Sequence, residues 1–243
     1  MNRILLEMQE IGHDGTATLC DKRATHINRV LKPKEGSTIR IGILNGPFGT
    51  AQILNSTETT VTLTCQLEDT QPQKPQIDLL LALPRPKVMR RLWAQLASLG
   101  IHHIMLTNAE KVERNYFATH WLNPETYKPR LIEGLQQSGD THLPQVSIHR
   151  NFKRLIEREL PHITQNNQRI VCHPQASNEI NQLTLKKEDS VLLAIGPEGG
   201  WTENEINLLT QHNFHPHSFG WRILRSDVAC TALISAINTL KKP

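Results

Sequence analysis

Apolar and polar residues alternate in short runs at residues 2–6, 38–43, 50–54 and 60–65, the period-two pattern of half-buried strands. Between the second and third runs stands Asn45-Gly46-Pro47-Phe48-Gly49. This is turn chemistry, because Asn and Gly tolerate positive φ and Pro cannot pair inside a sheet. Residues 26–31 predict a short helix. Short strands with regular turns predict a small β-barrel over residues 1–70. Residues 69–76 then carry two prolines and no large apolar side chain, so an interdomain linker is placed at 71–76.

From residue 77 the rhythm changes to alternating strands and helices, which predicts an α/β domain over 77–243 with a mostly parallel sheet. Residues 77–83 form a continuous apolar-rich strand of the kind buried on both faces. Val88, Leu92, Leu96 and Leu99 repeat at helical spacing, and Gly100 follows as a natural helix stop. Strands are predicted at 101–106, 146–149, 169–172, 191–195 and 214–219. Asn123-Pro124-Glu125 opens a helix that buries Leu131 and Leu135 and ends near Gly139. Asn151 caps a helix that Pro161 ends. Thr202-Glu203-Asn204-Glu205 is a capping box. Ser226-Asp227 starts a last helix with Ala229, Leu233, Ile237 and Leu240 on one face.

Composition narrows the class. The 243 residues are 38% hydrophobic and 21% charged, which excludes a disordered chain or a coiled coil. No apolar run approaches the ~18–20 residues of a membrane span. Residues 1–7 meet an acid too early for a secretory signal, so a cytoplasmic protein is expected. Net charge is +4, and all of it lies beyond residue 74, because the first 74 residues carry eight basic and eight acidic side chains. Arg85, Lys87, Arg90 and Arg91 put four cations into seven residues. On composition alone that cluster reads as a solvated helix face or as a polyanion contact. Cys20, Cys65, Cys172 and Cys230 form no CxxC pair, and no Cys or carboxylate near His215 and His217 completes a metal site. No metal is expected.

Two segments carry chemistry. In the first, a buried strand runs into Gly196-Pro197-Glu198-Gly199-Gly200 and then into the capped helix. Ligands of open α/β sheets bind at the carboxyl ends of strands, and glycines there let backbone groups approach a ligand. The motif is neither a P-loop nor GxGxxG. The second segment, Phe219-Gly-Trp-Arg-Ile-Leu-Arg-Ser-Asp-Val-Ala-Cys230, sets Arg222 and Arg225 beside a helix start, a corner suited to an anion. One of these arginines could instead pair with Glu198 or Asp227.

Together these motifs resemble the paired motifs of SPOUT methyltransferases, in particular the ribosomal RNA small subunit methyltransferase E family. His26-Ile-Asn-Arg-Val-Leu-Lys-Pro-Lys-Glu-Gly36 and Leu44-Asn-Gly-Pro-Phe-Gly49 resemble that family's opening domain. The resemblance implies a PUA-like barrel that contacts RNA, followed by a SPOUT domain whose C-terminal segment threads a trefoil knot, an arrangement that ordinary topology rules would reject. It further implies S-adenosylmethionine as cofactor and a homodimer. The implied reaction is methylation at N3 of a decoding-region uridine in 16S rRNA, free or in the assembled small subunit.

Carried onto this chain, the resemblance implies cofactor contacts at His173, Gly196, Gly199, Gly200, Phe219, Gly220, Ile223 and Leu224, with Leu83 as a further candidate. Arg225 would be the catalytic side chain, and Arg85, Lys87, Arg90 and Arg91 would hold RNA phosphates. The chain departs from the family mainly on the substrate side. Ala94-Gln-Leu-Ala-Ser98 replaces a Gln-Lys-Ala-Thr-Glu stretch, Asp140 stands where the family has Arg, and Ser226-Asp-Val-Ala229 replaces Thr-Glu-Thr-Ala. These departures keep open an alternative, a non-catalytic or differently targeted RNA-binding protein of the same fold.

Overall fold

The computed structural model describes residues 2–31 and 36–241. Residues 32–35, part of the stretch that resembles the family's opening domain, lie outside the described residues. The chain forms two compact units, one made of residues up to Lys74 with Ile132–Leu143, the other of Pro75–Leu131 and Pro144 onward.

The first unit contains β1 (Ile4–Leu6), β2 (Thr16–Leu19), α1 (Lys22–His26), β3 (Thr38–Ile43), β4 (Phe48–Ser56) and β5 (Val61–Leu67). The strands pair in the order β1-β3-β4-β5-β2, with β1 parallel to β3 and the other pairs antiparallel. Asp21 starts α1 by accepting the Arg23 N–H, and the helix runs on into a π turn at Ile27–Leu31. Ile4 and Leu6 of one edge strand share a core with Ala17 and Leu19 of the other, and with Ile41, Ile53 and Leu63 between them. A sheet whose two edges feed one core must curl. The small barrel expected from the strand spacing is formed as a half-barrel.

Strand β2 went unread in the sequence, since four residues of Thr-Ala-Thr-Leu carry little apolar signal. Residues 132–143 belong to this unit through long-range bonds. Asn2 and Arg3 donate their N–H groups to the Gln136 carbonyl at 2.8 and 3.2 Å, and Asn45 donates to Thr141 at 2.8 Å. Asp140 shapes the local turn by accepting the N–H groups of Thr141 and His142 at 2.6 and 3.0 Å.

The second unit contains β6 (Ile77–Ala82), α2 (Pro86–Ser98), β7 (His103–Thr107), α3 (Pro124–Ser138), β8 (Gln145–His149), α4 (Phe152–Arg154), α5 (Leu160–Ile163), β9 (Gln168–Cys172), β10 (Val191–Ile195), α6 (Glu203–Gln211), β11 (His215–His217) and α7 (Ser226–Leu240). From Ile132 onward the residues of α3 group with the first unit. Six parallel strands pair in the order β11-β9-β10-β6-β7-β8. The central β6 and β10 are buried throughout, as their apolar-rich sequences favour, and β6 buries Asp78 with the rest. Helix α7 packs on β10 and on α2.

Two helices differ from expectation. The stripe that α2 buries is Met89, Leu92, Trp93 and Leu96, whereas Val88 and Leu99 stay partly exposed. Pro161 does not end the helix that Asn151 caps. A π turn at Leu155–Glu159 intervenes, and Pro161 falls in the first turn of α5, where its missing N–H costs no helix bond. No helix is long and apolar enough to cross a membrane among the described residues.

Strand order places the site. The chain steps outward from β6 through β7 to β8, then returns to the other side of β6 with β9, β10 and β11. Ligands of such sheets sit beyond the carboxyl ends of the strands where this order reverses.

Candidate active site

A cavity open in part to solvent lies beyond the carboxyl ends of β9 and β10, beside that reversal. Three loops wall it: Cys172-His173-Pro174 after β9, the Gly196–Trp201 turn after β10, and residues 219–226 before α7. Ala229 and Leu233 of α7 supply an apolar floor.

Seven of the residues singled out in the sequence meet here: His173, Gly196, Gly200, Phe219, Gly220, Ile223 and Leu224. Gly200 and Gly220 have φ of 70° and 71°, which favour glycine. A Cβ on Gly196 would lie 3.1 Å from the Trp201 indole. Leu83 is buried, donates its N–H to Thr107 at 2.9 Å, and is not part of the wall. Gly199 is not part of the wall either. It turns to Lys111, whose Nζ donates to the Gly199 carbonyl at 2.8 Å.

Arg225 stands at the rim rather than in the wall. Its guanidinium binds the Asp227 carboxylate at 2.8 Å, and Arg91 of α2 reaches the same carboxylate at 3.1 Å. The hydrogen bond from Arg225 is the main cause that holds Asp227 below the usual carboxylate range. Of the two carboxylates near the motifs, Glu198 lines the cavity, and it accepts the Arg85 backbone N–H at 3.2 Å. That bond ties the start of α2 to the cavity rim. Arg85, Lys87, Arg90 and Arg91 are all exposed, opposite the buried stripe of the helix.

Sequence reading missed several residues of the site. The buried Trp201 Nε1 and Ser226 Oγ, on two residues of the wall, have no hydrogen-bond partner within the protein. Unpaired buried polar groups are costly, and these two belong to residues that line the cavity. Cys172 lines the cavity and Cys230 lies buried in α7. Burial pushes both thiols up, Cys230 to about 12, so neither supplies a thiolate near neutral pH. With its apolar floor, glycine-lined backbone and orphaned donors, the cavity fits a flat, partly polar group such as S-adenosylmethionine. Among the described residues no three or more His, Cys, Asp or Glu side chains gather to hold a metal.

The RNA methyltransferase domain family matches residues 71–238. Ribosomal RNA small subunit methyltransferase E of Treponema pallidum is 32% identical over 98% of this chain and 90% of its own length. Ribosomal RNA small subunit methyltransferase E 1 of Borreliella burgdorferi is 28% identical over 96% and 95%. The fold matches a crystal structure of ribosomal RNA small subunit methyltransferase E from Neisseria gonorrhoeae bound to S-adenosyl methionine, with a TM-score of 0.78, 22% identity and coverage of 99% and 98%. Sequence likeness of this extent, carried along nearly the whole length, means that the chain belongs to the ribosomal RNA small subunit methyltransferase E family of SPOUT RNA methyltransferases.

Proposed function

We propose that this protein methylates N3 of a decoding-region uridine in 16S rRNA, using S-adenosylmethionine and acting as a cytoplasmic homodimer with a knotted C-terminal segment. The observation that carries the reading is the cavity beyond β9 and β10, whose wall holds two orphaned donors. The names of the relatives support a small-subunit rRNA substrate.

When bound, S-adenosylmethionine supplies an electrophilic methyl group on a sulfonium. Gly200 and Gly220 would leave the backbone beside it free of side chains, while Leu224, Ala229 and Leu233 would cover its apolar surface and exclude water. Alignment and water exclusion are what such a transfer needs from a protein. Uridine N3 must lose a proton as it attacks. Arg225, its side chain 70% exposed and paired with Asp227, would steady the negative charge that then spreads to a pyrimidine oxygen. Asp227, bound by two guanidiniums, is a weak proton acceptor near neutrality.

The alternative, a fold kept for RNA binding alone, loses support from position. Ala94–Ser98 and Asp140 contribute nothing to the cavity wall, and Asp140 has a local role in its turn. RNA should lie along α2, with the first unit as an accessory RNA contact. The functional division we propose is 1–70, a linker at 71–76, and 77–243.

Mass spectrometry of 16S rRNA from a strain lacking this protein should show loss of N3-methyluridine, restored by the intact gene. A retained mark would reject the substrate, and purified protein that fails to bind S-adenosylmethionine would reject the enzyme. Replacing Arg85, Lys87, Arg90 and Arg91 by Gln should weaken RNA binding and reduce the slope of log K against log salt by about 3, since each phosphate contact contributes roughly 0.7–0.9. An unchanged slope would return the cluster to a solvated helix face.

A further inference from the structure

We propose that Lys111 is a positioning residue for the cofactor turn, a role resting on the cofactor reading above. Lys111 lies beyond β7, far in sequence from either motif. Its backbone is fixed on both sides: Ala109 and Val112 are buried, and the Glu110 N–H donates to Oε1 of Glu205 at 2.8 Å. From that anchored base the side chain crosses to the Gly196–Trp201 turn. Its stem covers Gly199 so closely that an added Cβ would lie 2.9 Å from Lys111 Cδ. Its ammonium ends on the Gly199 carbonyl at 2.8 Å.

The consequence falls on one peptide plane. The Gly199 carbonyl is held by Lys111, and the N–H of the same peptide, on Gly200, donates to the Pro197 carbonyl at 2.8 Å. A peptide unit is planar, so tying both ends fixes its orientation. Gly200 is itself part of the cavity wall and has a φ of 70°. Glycine on both sides of this plane leaves the turn many other conformations. The charge-assisted bond from Lys111 selects the one that shapes the cavity. A side chain added at position 199 would therefore press on the lysine stem, not on the cavity. Lys111 is not part of the cavity wall and acts through the turn.

Lys111→Met keeps the stem and removes the ammonium, and Lys111→Arg keeps a donor. Titration calorimetry with S-adenosylmethionine should show about tenfold weaker binding for Lys111→Met and near-normal binding for Lys111→Arg. In methyl-transfer kinetics the cofactor KM should rise by the same factor, with kcat within about twofold and the RNA KM unchanged. The thermal midpoint should barely move, since Lys111 is exposed. Wild-type affinity in Lys111→Met would overturn the proposal, and so would a rise confined to the RNA KM, which would make Lys111 a phosphate contact. A wild-type protein that binds no cofactor would instead overturn the functional reading beneath it.

Discussion

Gly196→Val should raise the dissociation constant for S-adenosylmethionine at least about 100-fold, a loss of about 2.7 kcal/mol, in a protein that still folds. The Cβ alone would lie 3.1 Å from both Cδ1 and Nε1 of Trp201 and 3.2 Å from its backbone nitrogen. Trp201 cannot give way. It is 5% exposed and stacks on Phe152 with ring centroids 5.2 Å apart. The backbone nitrogen has no freedom to retreat, so valine must displace the turn that walls the cavity. Overpacking of this kind typically costs ~1–3 kcal/mol of stability, which lowers the melting point without abolishing the fold. Gly199→Val should behave differently. There the added group meets the Lys111 stem at 2.9 Å, a flexible chain that can swing aside. Losing that clamp should weaken cofactor binding only about tenfold, matching Lys111→Met. Calorimetry on the two valine variants, with circular dichroism to verify folding, separates the effects. Wild-type affinity in Gly196→Val would mean that the cofactor lies elsewhere.

The contrast between these two glycines shows what a sequence can and cannot carry. A glycine in a motif says that a side chain is excluded, but not what excludes it. Gly196, Gly199 and Gly200 read alike until the structure sets an indole against the first, a lysine stem against the second, and leaves the third with positive φ and free space. Features with local causes were legible. The buried β6 and β10 announce themselves by apolar-rich runs, broken in β6 only by Asp78. The capping box of Thr202 and Glu205 needs only four consecutive residues, and both of its bonds form. Features with distant causes were not. Residues 132–143 join the first unit through backbone bonds to Asn2, Arg3 and Asn45, and no periodicity encodes a partner more than ninety residues away. The orphaned donors of Trp201 and Ser226 are equally silent, since an unmet hydrogen bond is a property of the folded surroundings.

Glu205→Ala should destabilise the protein by about 2–4 kcal/mol and weaken cofactor binding about tenfold. Glu205 is only 8% exposed, and its carboxylate serves three donors at once. Oε1 accepts the Glu110 N–H at 2.8 Å, while Oε2 accepts the Thr202 N–H at 2.8 Å and the Thr202 hydroxyl at 3.2 Å. Bonds to a charged group contribute ~1.5–3 kcal/mol each. Water replaces part of that loss at the exposed Glu110, so the sum stays below the total of three bonds. The negative charge in the first turn of α6 adds ~0.3–1 kcal/mol against the helix dipole. Alanine would therefore free the start of α6, the loop after β7 and the end of the cofactor turn together, because one side chain joins all three. Glu205→Gln keeps an acceptor but turns an amide N–H₂ toward donors, and should recover about half of the loss. Urea unfolding measures the first effect, and a change below about 0.5 kcal/mol would class Glu205 with ordinary surface carboxylates. The second effect has its own signature. A ligand stabilises the folded state by RT ln(1 + [L]/Kd), so a tenfold weaker site loses about 1.4 kcal/mol of that gain at saturating cofactor. Added S-adenosylmethionine should thus widen the stability gap between wild type and Glu205→Ala, and a gap that stays constant would show that the helix start and the cofactor turn are independent.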